Sequence, residues 1–204
     1  MEIDEFISAC KEEEEEIIVQ KFLIEGDCYF FKHVISDRYE EYLFKKDIAL
    51  SLGVHIRDIT IVGSGKLGFS IKPNSESLLH YEFKTFDSKH NQNPEIEPSD
   101  LDIAIISERL FDEQLLSLYE FTNGYHLSYD KCKSFAKYIL KGWIRPDFLP
   151  LEYCISNKLE DIKKKYKEKY KRKINIGIYK SWFYFENYHK NNINSIKLTF
   201  IANS

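Results

Sequence analysis

The sharpest hydrophobic pattern in the chain is "SDLDIAIIS", Ser99 to Ser107. Apolar residues fill both of its faces except at the two aspartates, as in a central strand covered on both sides. "DITIV", Asp58 to Val62, is rich in β-branched residues and predicts a second strand. "INIGIYKSW" begins as a third. Tyr29 to Leu52 reads as one long amphipathic helix, carried by Tyr39, Tyr42, Leu43, Ile48 and Leu52 and closed by Gly53. "ERLFDEQLLSLYEFTNGY" predicts a helix ending near Asn123-Gly124, and "SYDKCKSFAKYILKGW" another, stopped by Gly142. "ISNKLEDIKKKYKEKYKRK" is a basic helix, and "FYFENYHKNNINSIKLTF" closes the chain as a helix. The acids Glu12 to Glu16 fit a solvated helix start. Lys72 to Pro98 is polar and holds Pro73, Pro94 and Pro98, so it predicts a long loop with one short extended piece, "HYEFKTF". The mixture predicts an α/β (α+β) fold, with a helical N-terminal extension over 1–53 and a core with C-terminal helices over 54–204.

Composition narrows the class. The 204 residues are 43% hydrophobic and 30% charged, the balance of a globular domain. A chain this long buries a core without disulfides or metals. A formal charge of -4 gives no global signal for nucleic acid. Cys10, Cys28, Cys132 and Cys154 are scattered and form no C-x-x-C pair, which argues against a zinc or redox motif. The acidic N-terminus lacks the apolar stretch of a signal peptide, and no run is long enough to span a bilayer. A reduced, cytoplasmic setting without membrane contact is expected.

Candidate chemistry gathers in "IVGSGKLGFSI", Ile61 to Ile71. A glycine-rich turn directly after an apolar run is a place where backbone approaches phosphate. A P-loop requires G-x-x-x-x-G-K-[ST], but Thr60 stands at the first glycine and Leu67 at the magnesium-binding hydroxyl. The dinucleotide fingerprint G-x-G-x-x-G matches at Gly63, Gly65 and Gly68, yet "FSIKPNS" follows where a helix is needed. A third reading joins Gly63-Ser64, at the end of one strand, to the D-x-D of the next. Side chains at i and i+2 of a strand share a face. Asp100 and Asp102 therefore converge, while Leu101, Ile103 and Ile105 turn into core. Paired carboxylates beside a phosphate turn suit magnesium, as metal-assisted in-line phosphoryl transfer requires. Without a metal or a partner, a carboxylate inside a core strand is costly.

At these residues, "GSGKLG" and then "SDLDIAII", the chain resembles the DNA polymerase β-like nucleotidyltransferase superfamily, whose pattern is G-S-x-x-x-G followed by S-D-x-D in an apolar strand. The resemblance covers Ile59 to Ser107. It implies a small mixed β-sheet of nucleotidyltransferase type flanked by helices, Mg2+ as cofactor, an NTP donor, and transfer of a nucleotidyl group to an acceptor hydroxyl. Asp100 and Asp102 would then be the catalytic metal ligands, and Gly63, Ser64, Gly65 and Lys66 the nucleotide-binding residues. Stand-alone proteins with this pattern often resemble members of bacterial toxin–antitoxin and antiphage systems, which implies a partner protein from the same operon. The acceptor stays open between a protein hydroxyl, an RNA 3′ end, a second nucleotide and a small molecule. Two departures matter. The spacer Lys72 to Pro98 exceeds the minimal pattern. The family's third carboxylate, on a later strand, is also missing from "KINIGIY", where Asn175 or Gly177 takes the inward position. Asp147 and Glu186 are the acids nearby in sequence. The missing acid supports an alternative: a catalytically silent fold of this type that binds a nucleotide or a partner protein.

Other features have plainer readings. Lys66 fits a phosphate contact and a solvated lysine equally well. The lysines of 158–173, Lys163, Lys164, Lys165, Lys167 and Lys169 among them, fit a solvated helix face better than an RNA surface. The aromatics around Trp182 fit core. The six histidines show no grouping.

Overall fold

The computed structural model of the protein describes residues 3–74, 80–123, 128–148 and 157–202. Its centre is a mixed sheet of strands β1 (Ile59–Val62), β4 (Leu101–Ile106), β5 (Trp143–Ile144) and β6 (Ile174–Tyr179), in the order β1-β4-β6-β5. β4 pairs antiparallel with β1 and parallel with β6, and β5 runs antiparallel to β6. The central strand is therefore the one with the near-continuous apolar run, as its sequence predicts. β5 is too short to carry a pattern of its own and is absent from the sequence reading.

One face of the sheet is entirely apolar. Ile59, Ile61, Leu101, Ile103, Ile105, Ile174, Ile176 and Ile178 share a core with Phe30, Phe31 and Phe44, and with Tyr166 and Tyr170. Those aromatics come from the segment around α3 (Arg38–Leu52) and from α8 (Asn157–Tyr170). The rings of Phe44 and Tyr166 meet edge to face at 4.5 Å, and Phe30 meets Tyr170 at 5.3 Å. Truncating one such ring costs about 3–5 kcal/mol. A second core joins α1 (Ile3–Glu12), α2 (Glu15–Ile18) and the wide turns after it to the last helix, α9 (Trp182–Ala202). Residues before Gly53 thus contribute to both cores, Phe44 to the first and Phe6 to the second.

Three local expectations change. The helix predicted from Tyr29 to Leu52 is broken: a wide turn over Phe30–Val34 ends at Ser36, whose φ is 59°, and α3 starts afresh behind it. Asp37 caps that start, its carboxylate accepting from the Tyr39 N–H at 2.8 Å. Gly53 ends α3 in the left-handed conformation, as expected. The acids from Glu12 to Glu16 straddle the junction of α1 and α2 instead of opening one helix. The predicted loop from Lys72 to Pro98 contains most of a hairpin: β2 (Phe69–Pro73) pairs with β3 (Tyr81–Thr85), and α5 (Ser88–Gln92) follows. Its apolar face, Phe69, Ile71, Tyr81 and Phe83, packs on α1 and α9. The first strand was hidden because it begins directly at the glycine turn.

The helices α6 (Glu108–Asn123) and α7 (Tyr129–Leu140) lie where their patterns place them. Gly124, His126 and Cys154 fall outside the described residues, as does the side chain of Cys132. Cys10 and Cys28 are buried free thiols. The basic helix α8 is largely committed to α3: Lys165 pairs with Asp47 and Lys169 with Glu40, while Tyr166 and Tyr170 donate hydroxyls to the same two carboxylates. Among the described residues, no helix is long and apolar enough to cross a membrane.

Candidate functional site

The second face of the sheet is polar at one end, and there the register concentrates the candidate chemistry. Val62 of β1, Asp102 of β4 and Asn175 of β6 are direct neighbours across three strands. Asp100, at the entry to β4, points the same way as Asp102 because the pleat repeats every second residue. The Asn175 amide measures the convergence. Its Nδ2 donates to Asp100 Oδ2 at 2.5 Å and to Asp102 Oδ1 at 2.8 Å. The two carboxylates therefore meet at one point.

That point lies on a cavity of about 910 Å³. Gly63 and Ser64 border it beside Asp102. The predicted turn is a short helix, α4 (Gly63–Leu67), which Gly63 enters with φ of 65°. A Cβ on Gly63 would stand 3.0 Å from Asp102 Oδ2, so glycine answers both the backbone conformation and the close approach. The hairpin β2–β3 and α5, from the segment read as a loop, form the opposite wall with Lys72, Lys84 and Lys89.

Gly65 and Lys66 are not brought to this cavity. Gly65 is buried against Leu101, and its carbonyl accepts from Cys28 Sγ at 3.4 Å. Lys66 is only 3% exposed, and its Nζ donates to the Gly26 carbonyl beneath the turn. Burial holds its ammonium below the ordinary lysine value. Neither a phosphate contact nor a solvated lysine describes it. Consecutive residues of a helical turn point in different directions, and here Ser64 takes the cavity side.

Other cations take that place. Arg145, just after β5, and Lys173, just before β6, border the cavity. Burial, followed by the charge of Asp100, pushes the Asp102 carboxyl up from its ordinary value. The Asn175 hydrogen bond and the charges of Arg145 and Lys173 act in the opposite sense. Lys173 was signalled by position alone, as a cation at the start of the strand beside the carboxylates, whereas Arg145 follows β5, which carries no pattern of its own. Trp143, Tyr179, Tyr188 and His189 line the far side. Burial drops the His189 imidazole to about 4, so it stays neutral at physiological pH.

Among the described residues no third acid joins Asp100 and Asp102 as a metal-holding set, although Glu97 also lines the cavity. Neither Asp147 nor Glu186 borders the cavity. Asp147 is held by Lys163 at 2.5 Å and Arg145 at 3.3 Å. Among the described residues, no set of three Asp, Glu, His or Cys side chains comes together. The donor set at the convergence point is two carboxylates and one amide, all hard oxygen-bearing groups of the kind magnesium accepts. The buried Asn175 Oδ1, at the other end of that amide, has no hydrogen-bond partner. These residues fit a divalent cation.

Comparison of the chain with protein-family models, with curated proteins and with solved structures gives no match.

Proposed function

We propose that the protein is a magnesium-dependent nucleotidyltransferase that moves a nucleotidyl group from an NTP to an acceptor hydroxyl. The observation that carries this reading is the meeting of Asp100 and Asp102 on a single amide nitrogen beside Gly63-Ser64. The acceptor oxygen bonds to the α-phosphorus, the bond from that phosphorus to the β-phosphate bridge breaks, and pyrophosphate and a proton leave. Asp100 and Asp102 would hold Mg2+, which when bound neutralises triphosphate charge and lowers the pKa of the attacking hydroxyl. Ser64 and the open backbone at Gly63 receive phosphate. Lys173 and Arg145 stand where the charge of the leaving group is neutralised. In this reading Lys72 of the hairpin and Lys89 of α5, which line the cavity, meet the acceptor. Buried free thiols at Cys10 and Cys28 suit a cytoplasmic setting. A partner protein of a toxin–antitoxin or antiphage operon belongs to the same reading.

The test uses each NTP labelled at the α-phosphate, with magnesium and cell extract, and asks what becomes labelled. Transfer of α-label, absent from Asp102→Asn and absent with γ-label, is the expected result. Absence of magnesium-dependent NTP binding would overturn the reading. A second reading has its own support: Asn175 fills the place of a third acid, so a catalytically silent fold that binds nucleotide would show NTP binding with no transfer in any extract.

A further inference from the structure

Asn175 is 7% exposed, yet its two polar atoms are treated very differently. Nδ2 serves both Asp100 and Asp102, whereas Oδ1 is buried with no partner. The carboxylates fix this orientation, since ionised carboxylates only accept and the amide offers donors on one side alone. A buried carbonyl oxygen with nothing to accept is costly. The side chain is thus satisfied at one end and unsatisfied at the other. Its satisfied end bonds the carboxylate oxygens beside the point where a cation held by Asp100 and Asp102 would sit.

We propose that Asn175 is a reversible ligand with two positions. Its NH2 group stands in for the cation in the metal-free protein, and a half-turn of the amide presents Oδ1 to the cation when it binds. The inference rests on the reading of Asp100 and Asp102 as a cation site. The geometry suits the exchange. After a half-turn, Oδ1 takes over the place of Nδ2, which lies 2.5 and 2.8 Å from the two carboxylate oxygens. Oxygens so close repel unless a cation lies among them. Around an ion with bonds of 2.0–2.1 Å, neighbouring octahedral ligands are about 2.9 Å apart. The spacing therefore matches magnesium better than a larger ion. The neutral amide also leaves the site with two negative charges where a third acid would give three. Cation binding must displace two hydrogen bonds, so the ion binds weakly alone and more tightly when a triphosphate completes its shell.

The test follows the amide and the affinity together, in the full chain with 15N-labelled asparagine. Its probes are MgCl2 alone and MgCl2 with α,β-methylene-ATP. The side-chain NH2 signals of Asn175, assigned by their loss in Asn175→Ala, should move on cation binding as they leave the carboxylates. Calorimetry should show Asn175→Ala binding magnesium about tenfold or more weakly, the range seen when a group supporting a metal is lost. Asn175→Asp keeps an oxygen but loses the donor. It should bind magnesium more tightly than wild type and melt lower without it. Binding that disappears in Asp102→Asn but leaves the Asn175 signals unmoved and the Asn175→Ala affinity unchanged would overturn this inference and spare the cation site. No magnesium binding under either condition, or binding indifferent to Asp102→Asn, would overturn both.

Discussion

Gly63 and Asp102 are held so close that a single added carbon would touch the carboxylate: the Cβ position of Gly63 lies 3.0 Å from Asp102 Oδ2. Two constraints meet there, because Gly63 also has φ of 65°. Gly63→Val should therefore do more than block nucleotide. A β-branched residue in the left-handed region costs about 1–3 kcal/mol, and its methyl groups displace Asp102. Loss of magnesium-dependent NTP binding together with a lower urea midpoint is the expected pair of results. A variant with wild-type stability and affinity would show that the turn does not face phosphate.

The Asp102 carboxyl carries a second prediction. Burial, then repulsion from Asp100, raises it above the ordinary aspartate value. In the metal-free protein the native state then holds this proton more tightly than the unfolded chain does. Stability from this group falls as pH rises from the unfolded value through the raised one, and the penalty is complete above it. Asp102→Asn removes the penalty while leaving an acceptor for Asn175. The metal-free variant should melt higher than wild type at neutral pH, with the gain fading in acid, and should not bind magnesium. Melting curves across pH without divalent cations check the sign.

Arg172 and Asp87 hold the cavity wall to the sheet. The guanidinium lies over the rings of Phe30 and Phe86, at 4.8 and 5.0 Å, and its Nη2 reaches Asp87 Oδ2 at 3.1 Å. Asp87 also accepts from the Ser99 N–H at 2.7 Å, one residue before Asp100. Burial works to raise the Asp87 carboxyl, but Arg172 and Ser99 prevail and hold it below the ordinary aspartate value. Its contribution is present above that value and is lost as pH falls through the lower folded one. Asp87→Asn keeps a residue that tolerates the backbone φ of 58° and removes only the charge. The cost should be about 3 kcal/mol, as for a buried pair deprived of one partner. Denaturant melts should show the loss at neutral pH and its disappearance in strong acid.

Lys66 and Lys173 separate the two sides of the turn. Lys66→Met should leave magnesium–NTP affinity largely unchanged, since the Lys66 ammonium turns beneath the helix to the Gly26 carbonyl and does not border the cavity. Lys173→Ala should weaken it about tenfold, the loss of one charge-assisted contact. Calorimetry with one NTP suffices, and the reverse ranking would place the triphosphate under the turn.

Much of this architecture was legible because hydrophobic periodicity and site chemistry coincide. Asp102 interrupts an apolar strand, and that interruption is both the clearest structural signal and the clearest functional one. The position of Asn175 was legible as one of two, Asn175 or Gly177, on a second apolar strand expected nearby. Lys66 was not. The sequence places it among phosphate-binding residue types, but direction around a helical turn depends on α4 forming, and a short glycine-rich segment carries no periodicity. The hairpin was obscured for a similar reason. The pairing of Ile71 with Phe83 is a long-range match between two short strands, invisible in either alone. Arg172 looked like part of a basic run. Its burial against two phenylalanines is a tertiary fact.

The absence of a side chain at Gly177 lets the Trp143 indole cross the strand, where a Cβ would stand 2.4 Å from Nε1. That indole lines the cavity, while Trp182 does not border it and donates to Asp58 Oδ1 at 3.2 Å. With only two tryptophans in the chain, the fold supplies its own optical reporter. Once Trp182→Phe silences the second fluorophore, the tryptophan emission left comes from the cavity wall. Its colour and brightness register wetting, drying or stacking of a base there, and the order in which cation, nucleotide and acceptor arrive can be read in real time without attaching a dye.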